Sequence, residues 1–185
     1  MSQPFSPQPA KLVISLLFAD RALLAPVSEQ LQLAYGPIDM FSPWFEFDFT
    51  KYYRSEMGAP LHRRVLVFER LIRQRHLSRI KLDTNRVEQA FAVQDQRRVN
   101  IDPGLLLLER FVLATGKNYS HRIYIGDRIY ADLTLIFRDG EYQSLPWTYP
   151  DYAEDKMRTF LRRARQKYAA DLKAFRPAGP DDNLI

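Results

Sequence analysis

Two short stretches concentrate the residue types that hold anions and move protons: Asn100-Ile101-Asp102-Pro103-Gly104 and Lys117-Asn118-Tyr119-Ser120-His121-Arg122-Ile123-Tyr124. The first reads as a turn carrying a carboxylate, with a glycine that allows close approach to the backbone. The second offers ammonium, hydroxyl, imidazole and guanidinium groups at the mouth of a strand. The chemistry this implies is an anion pocket. Lys117 and Arg122 would bind phosphate or carboxylate, His121 or Asp102 would transfer a proton, and Tyr119, Tyr124, Asn100 and Gly104 would complete the wall. Strand alternation sends Arg122 and Tyr124 to one face and His121 and Ile123 to the other, so convergence demands a twist in the loop. The competing reading is polar turn chemistry, with His121 a hydrogen-bonded boundary residue.

A third candidate is Leu145-Pro146-Trp147-Thr148-Tyr149-Pro150-Asp151-Tyr152. Its prolines fix the backbone, and Trp147 and Tyr149 can then present stacking rings to a base or sugar. Such a segment can equally pack over a sheet edge and lead into a helix capped by Asp151.

Other chemistries find little support. Ala114-Thr115-Gly116-Lys117-Asn118 has the look of a nucleotide phosphate loop, but Phe111 stands where the first glycine belongs and Asn118 replaces the magnesium-binding Ser/Thr. There is no GxGxxG stretch, and no two of His62, His76 and His121 stand at metal-ligand spacing. The chain lacks cysteine, which removes thiolate sites and disulfides and suits a reducing cytosol. No cofactor is expected.

The elements that position these residues follow from periodicity. Lys11–Phe18 is a continuous apolar run typical of a central strand. Asp20 offers an N-cap for a helix ending at Gly36-Pro37, with Pro26 kinking that helix or marking its start. Phe45, Phe47 and Phe49 alternate with acidic residues as a half-buried strand. Leu61–Leu71 reads as a further strand in which each face is polar at first and apolar afterwards. A helix capped by Ser78 and a short strand, Arg97–Ile101, complete a βαββαβ order, the ferredoxin-like arrangement. Leu105–Thr115 is ambiguous between helix and strand. Gly126-Asp127 and Asp139-Gly140 then mark a C-terminal antiparallel meander, and an amphipathic helix from about 152 to 175 closes an α+β fold.

With 185 residues, 46% apolar and 26% charged, the chain fits one soluble domain over 11–176, between a disordered leader at 1–10 and a flexible tail at 177–185. The apolar run at Leu12–Phe18 is too short to span a membrane, and no positive charge precedes it, so a cytoplasmic protein is expected. The net charge of +5 is local: residues 61–100 hold 10 basic and 4 acidic side chains, and a second basic cluster, Lys156 to Arg176, lies on the last helix. This opens an alternative function, an RNA-binding or nucleoprotein accessory module.

The stretches KLVISLLFADRALL, YGPIDMFSPWFEFDFTKYYRSEMG, RRVNIDPGLLLLERFVLATGKNYSHRIYIGDRIYADLTL and LPWTYPDY resemble the bacterial family known as domain of unknown function 4416. The resemblance runs from about Lys11 to beyond Tyr152 and carries no assigned activity. Some relatives are labelled GTP-binding, a label the failed phosphate-loop comparison does not support here. The resemblance implies that Asp48, Tyr53, Glu56, Met57 and Gly58, the 100–104 and 117–124 stretches and Pro146–Tyr152 belong to the family pattern. The leading expectation is a protein that binds, and in an enzyme transforms, a small phosphorylated or carboxylated ligand. RNA binding and a non-catalytic assembly role stand as alternatives.

Overall fold

The computed structural model describes residues 1, 3–50 and 52–175. The expected tail at 177–185 and Arg176 of the second basic cluster lie outside the described residues.

Among the described residues the nine strands are β1 (Ala10–Phe18), β2 (Ile38–Phe41), β3 (Phe45–Phe47), β4 (Leu61–Ile72), β5 (Val99–Leu106), β6 (Arg110–Thr115), β7 (Arg122–Gly126), β8 (Ile129–Arg138) and β9 (Glu141–Ser144). The helices are α1 (Leu24–Tyr35), α2 (Arg54–Met57), α3 (Leu77–Ala90), α4 (Pro150–Ala153) and α5 (Asp155–Ala174). The strands form one antiparallel sheet in the order β2-β4-β1-β5-β6-β8-β7, with β3 also on β4 and β9 also on β8. The meander therefore joins the first sheet.

The central strand β1 is buried at every residue, with α1 and α3 over one face and α5, then β3 and α2, over the other. On one side Leu12, Ile14, Leu16 and Phe18 meet α1 and α3 through Val27, Leu31, Leu77 and Ile80. On the other, Val13, Val67, Leu106, Phe111 and Leu135 meet α5 through Met157, Phe160, Leu161, Ala164 and Tyr168, spaced three and four apart on that helix. Lys11 is fully buried, and its ammonium reaches the Glu69 carbonyl, Asp39 and Asp171, which ties α5 to the sheet.

Several local expectations need correction. Asp20 accepts from the Ala22 N–H, but it does so ahead of a 3-10 turn; Pro26 falls at the start of α1, one of its two expected places, in the first turn where its missing N–H costs nothing. The strand expected at Phe45, Phe47 and Phe49 is β3, which ends at Phe47, and a separate strand, β2, precedes it. At the break, the Ser42 hydroxyl takes the Val65 N–H at 2.9 Å. Ser78 does not cap α3; its hydroxyl pairs with Asp127 at 2.9 Å. The last helix is interrupted at Glu154, which is extended (ψ 136), and Asp151 lies inside the short α4 behind the cap residue Tyr149.

The largest correction concerns Asp102-Pro103-Gly104, which is no turn but the middle of β5. The ambiguous Leu105–Thr115 run resolves into the end of β5, a tight reversal and β6. Only Gly104, Leu105 and Leu106 of β5 pair with β6. Beyond them the strands part. Pro103 is tolerated because no neighbouring strand at that level needs its missing N–H.

Candidate functional site

The sheet face that carries α5 changes character along its strands. Val67, Val13, Leu106, Phe111 and Leu135 lie under the helix. At the other end of the same strands the same face presents Arg63, Ser15, Asn100, Asp102, Thr115 and Asp132. Cross-strand register confirms the row, with Ser15 opposite Asp102, Leu17 opposite Arg63 and Asn100, and Leu113 opposite Asp132. α5 does not cover this end. Phe47, Phe49, Thr50, Tyr52, Tyr53 and α4 wall it instead and enclose a cavity of about 1140 Å³, just above the roughly 300–1000 Å³ usual for small-molecule sites.

The floor of the cavity is the opening between β5 and β6. There α3 supplies what the absent strand pairing would have: Lys81 donates to the Ile101 carbonyl at 2.7 Å, and Glu88 accepts the Ile101 N–H at 2.6 Å. The Lys81 ammonium also stands 3.3 Å from Asp102 and 3.8 Å from Glu88. Asp102 takes a second hydrogen bond from the Asn100 amide at 2.6 Å. Arg97 grips Glu56 with two prongs, at 2.8 and 2.6 Å, and bonds Asn100 at 3.0 Å. This grip holds the Glu56 carboxyl below its ordinary range. Burial pushes Glu88 up to about 7, against the pull of Lys81.

A second buried pair forms the side wall. Arg63, 5% exposed, approaches Asp151 at 2.9 Å without hydrogen-bond alignment and also bonds the Ser15 hydroxyl. Its guanidinium lies between the rings of Phe47 and Tyr152, at 4.9 and 5.4 Å. Burial pushes Asp151 upward while Arg63 opposes the shift.

The structure sorts the expected site residues into three groups. Asp102, Asn100, Lys117 and Tyr149 line the cavity. His121 and Arg122 stand behind it. They do converge, because His121 lies in the turn before β7 and is free of strand alternation: both reach the same Asp132 oxygen, at 3.1 and 2.9 Å. Arg122 also donates to the Lys117 carbonyl at 2.9 Å and the Tyr149 hydroxyl at 2.6 Å, so it positions the cavity edge. The remaining residues lie elsewhere. Trp147 stacks on His121 at 4.9 Å and donates to the Leu133 carbonyl, Tyr119 edges onto His121, and Tyr124 packs on Tyr130. Gly104 serves packing, since a Cβ there would sit 2.6 Å from the Val112 carbonyl oxygen.

Sequence reasoning did not single out Arg63, Lys81, Glu88, Arg97, Asp132 or Asp151 as site residues. One signal was available for the helix pair: Lys81, Thr84 and Glu88 recur at i, i+3 and i+7, directly beside the apolar stripe of α3. Among the described residues no group of three His, Asp or Glu is arranged to hold a metal ion. None of the described helices is long and apolar enough to cross a membrane.

A polar cleft set into one face of the nine described strands, with paired charges at its floor, belongs to a mixed α/β protein. The chain belongs to the family described as a domain of unknown function (DUF4416), which matches residues 8–168. Searches of curated proteins and of solved structures gave no match.

Proposed function

We propose that the cleft binds a small phosphorylated or carboxylated molecule and that Lys117 takes its anionic group. One observation carries this reading. Of the four cations lining the cavity, Arg63, Lys81 and Arg97 are each held by a carboxylate, whereas Lys117 has none within ion-pair distance among the described residues. Its ammonium lies 4.6 Å from the centre of the Tyr52 ring at the exposed rim. For a transformed ligand, Asp102 is in place to move a proton and His121 is not, because Asp132 stands between His121 and the cavity. The order β2-β4-β1-β5 with two helices on one face supports a ferredoxin-like core for the first half. The lack of cysteine supports a cytoplasmic setting.

The RNA reading draws less support. Arg63, Lys81 and Arg97 of the basic segment turn into the cleft, Arg79 and Arg86 share Asp83, and Arg98 pairs with Asp20. On α5, Arg158 and Lys167 are paired with acids and Arg165 with the Leu108 carbonyl, which breaks up the patch a nucleic acid would need. An assembly role has the outer strand β7 in its favour, where Ile123 and Tyr124 are exposed.

Thermal-shift screening with phosphorylated and carboxylated metabolites tests the anion reading. The wild type is expected to melt higher with at least one of them, and Lys117→Ala to lose that response. A panel in which no anion shifts the wild type overturns it.

A further inference from the structure

The anion reading leaves open what else the ligand carries, and the lining of the cleft answers this. Among the described residues five acidic side chains line it, Glu88, Asp95, Asp102, Asp132 and Asp151, with four cations; three of the cations are held by carboxylates, and Asp102, Asp132 and Asp151 are held in turn by Lys81, Arg122 and Arg63. A ligand with negative charge along its whole length would find the floor cations Lys81 and Arg97 already engaged by carboxylates. Its charge must sit at one end, toward Lys117. Elsewhere in the cleft it meets Asp102, whose side chain is 27% exposed while that of Glu88 is 9% exposed, which makes Asp102 the more open carboxylate of the Lys81 cluster.

Asp102 is held in place by Lys81 and Asn100, which occupy two of about four acceptor sites on a carboxylate. Covering the rest with a ligand that lacks donors would strand a charged acceptor, a cost that only hydrogen bonds from the ligand offset. Those donors are better neutral than charged. A ligand ammonium at Asp102 would be pressed against the Lys81 ammonium, which is 3.3 Å from the same carboxylate, whereas a hydroxyl donates without that repulsion. The rings of Phe47, Phe49, Tyr52, Tyr53 and Tyr149 supply apolar wall for the C–H faces of such a molecule.

Building on the anion reading, we propose that the ligand is a polyhydroxylated anion, a sugar phosphate or sugar acid, with its charged group on Lys117 and its hydroxyls on Asp102. The test is calorimetric titration of the intact protein with ribose 5-phosphate, ethyl phosphate and phosphoethanolamine, repeated with gluconate against butyrate, on wild type, Asp102→Asn and Lys117→Gln. The expected result is binding of ribose 5-phosphate about tenfold tighter than ethyl phosphate, one good charge-assisted hydrogen bond's worth. Asp102→Asn is expected to erase most of that advantage, Lys117→Gln to weaken both phosphates, and gluconate to exceed butyrate. Equal binding of ribose 5-phosphate and ethyl phosphate, both weakened by Lys117→Gln, overturns the sugar class and leaves the anion site standing. Tightest binding by phosphoethanolamine overturns it in favour of an amino ligand. Absence of binding by every probe overturns both readings. A melting curve of Asp102→Asn without ligand separates lost recognition from lost folding.

Discussion

The face of the sheet that carries α5 contains two regions built on the same strands and with opposite chemistry. Under α5, side chains from β1, β4, β5, β6 and β8 form a dry hydrocarbon layer in which Leu161, Ala164 and Tyr168 are fully buried. A few residues along, the same face presents Arg63, Asp102, Thr115 and Asp132 to a cavity, with Ser15 of β1 buried behind Arg63. Because the strands are antiparallel, the polar positions fall at the C-terminal ends of β1 and β6 and the N-terminal ends of β4, β5 and β8. The difference teaches that period-two alternation specifies only which face a residue takes. Where helix cover ends, the residue types change on that same face, and the parting of β5 from β6 lets α3 reach through from the other side.

That contrast can be broken at several points. The largest effect is expected from Arg63→Ala, which strands buried Asp151 and costs about 4 kcal/mol in urea unfolding; Arg63→Met combined with Asp151→Leu is expected to recover most of it. A double variant no more stable than the single one contradicts the pairing. In the hydrocarbon region, Leu161→Ala is expected to cost about 3 kcal/mol through cavity formation and to leave ligand affinity in the folded protein unchanged. Gly104→Ala, at the point where β5 leaves β6, drives a Cβ against the Val112 backbone and costs about 2 kcal/mol.

The next effect depends on pH. Glu88 has its folded value raised from 4.5 to about 7 by burial, so the folded state binds more protons than the unfolded one between these values. The contribution of Glu88 to stability is therefore fully present below the unfolded value and declines as pH rises through about 7, by roughly 1–2 kcal/mol once relaxation is allowed for. Glu88→Gln, which keeps an acceptor for the Ile101 N–H, is expected to flatten that decline in denaturation series between pH 5 and 8. An unchanged slope assigns the decline to other groups.

Much of the apolar region was legible in the sequence, because uninterrupted runs such as Leu12–Phe18 and the 3-4 spacing of Met157, Phe160, Leu161 and Ala164 are local patterns that a helix or strand simply expresses. The reversal from polar to apolar within Leu61–Leu71 was legible too, and it marks the boundary between the two regions. The site was only half legible. Lys117, Asp102, Asn100 and Tyr149 attracted attention as reactive types near turn signals, yet Asp102-Pro103-Gly104 is strand, since the parting of β6 removes the penalty that makes proline a turn residue. Arg63 and Asp151 meet across 88 positions of sequence, and Lys81 and Glu88 act through a gap between strands that no local pattern encodes.

The smallest expected effect on stability belongs to the residue assigned the largest role in binding. Lys117 is exposed, and its replacement by Ala is expected to alter unfolding by less than about 0.5 kcal/mol. The most direct measurement is therefore an amide NMR titration of the wild type and Lys117→Ala with ribose 5-phosphate. The account predicts shifts at Gly116, Lys117, Asp102 and Tyr53 in the wild type, none at Val13, Leu106 or Leu161, and none anywhere in the variant. Shifts centred on the exposed Arg162 and Arg163 of α5, or equal shifts in the variant, would contradict it.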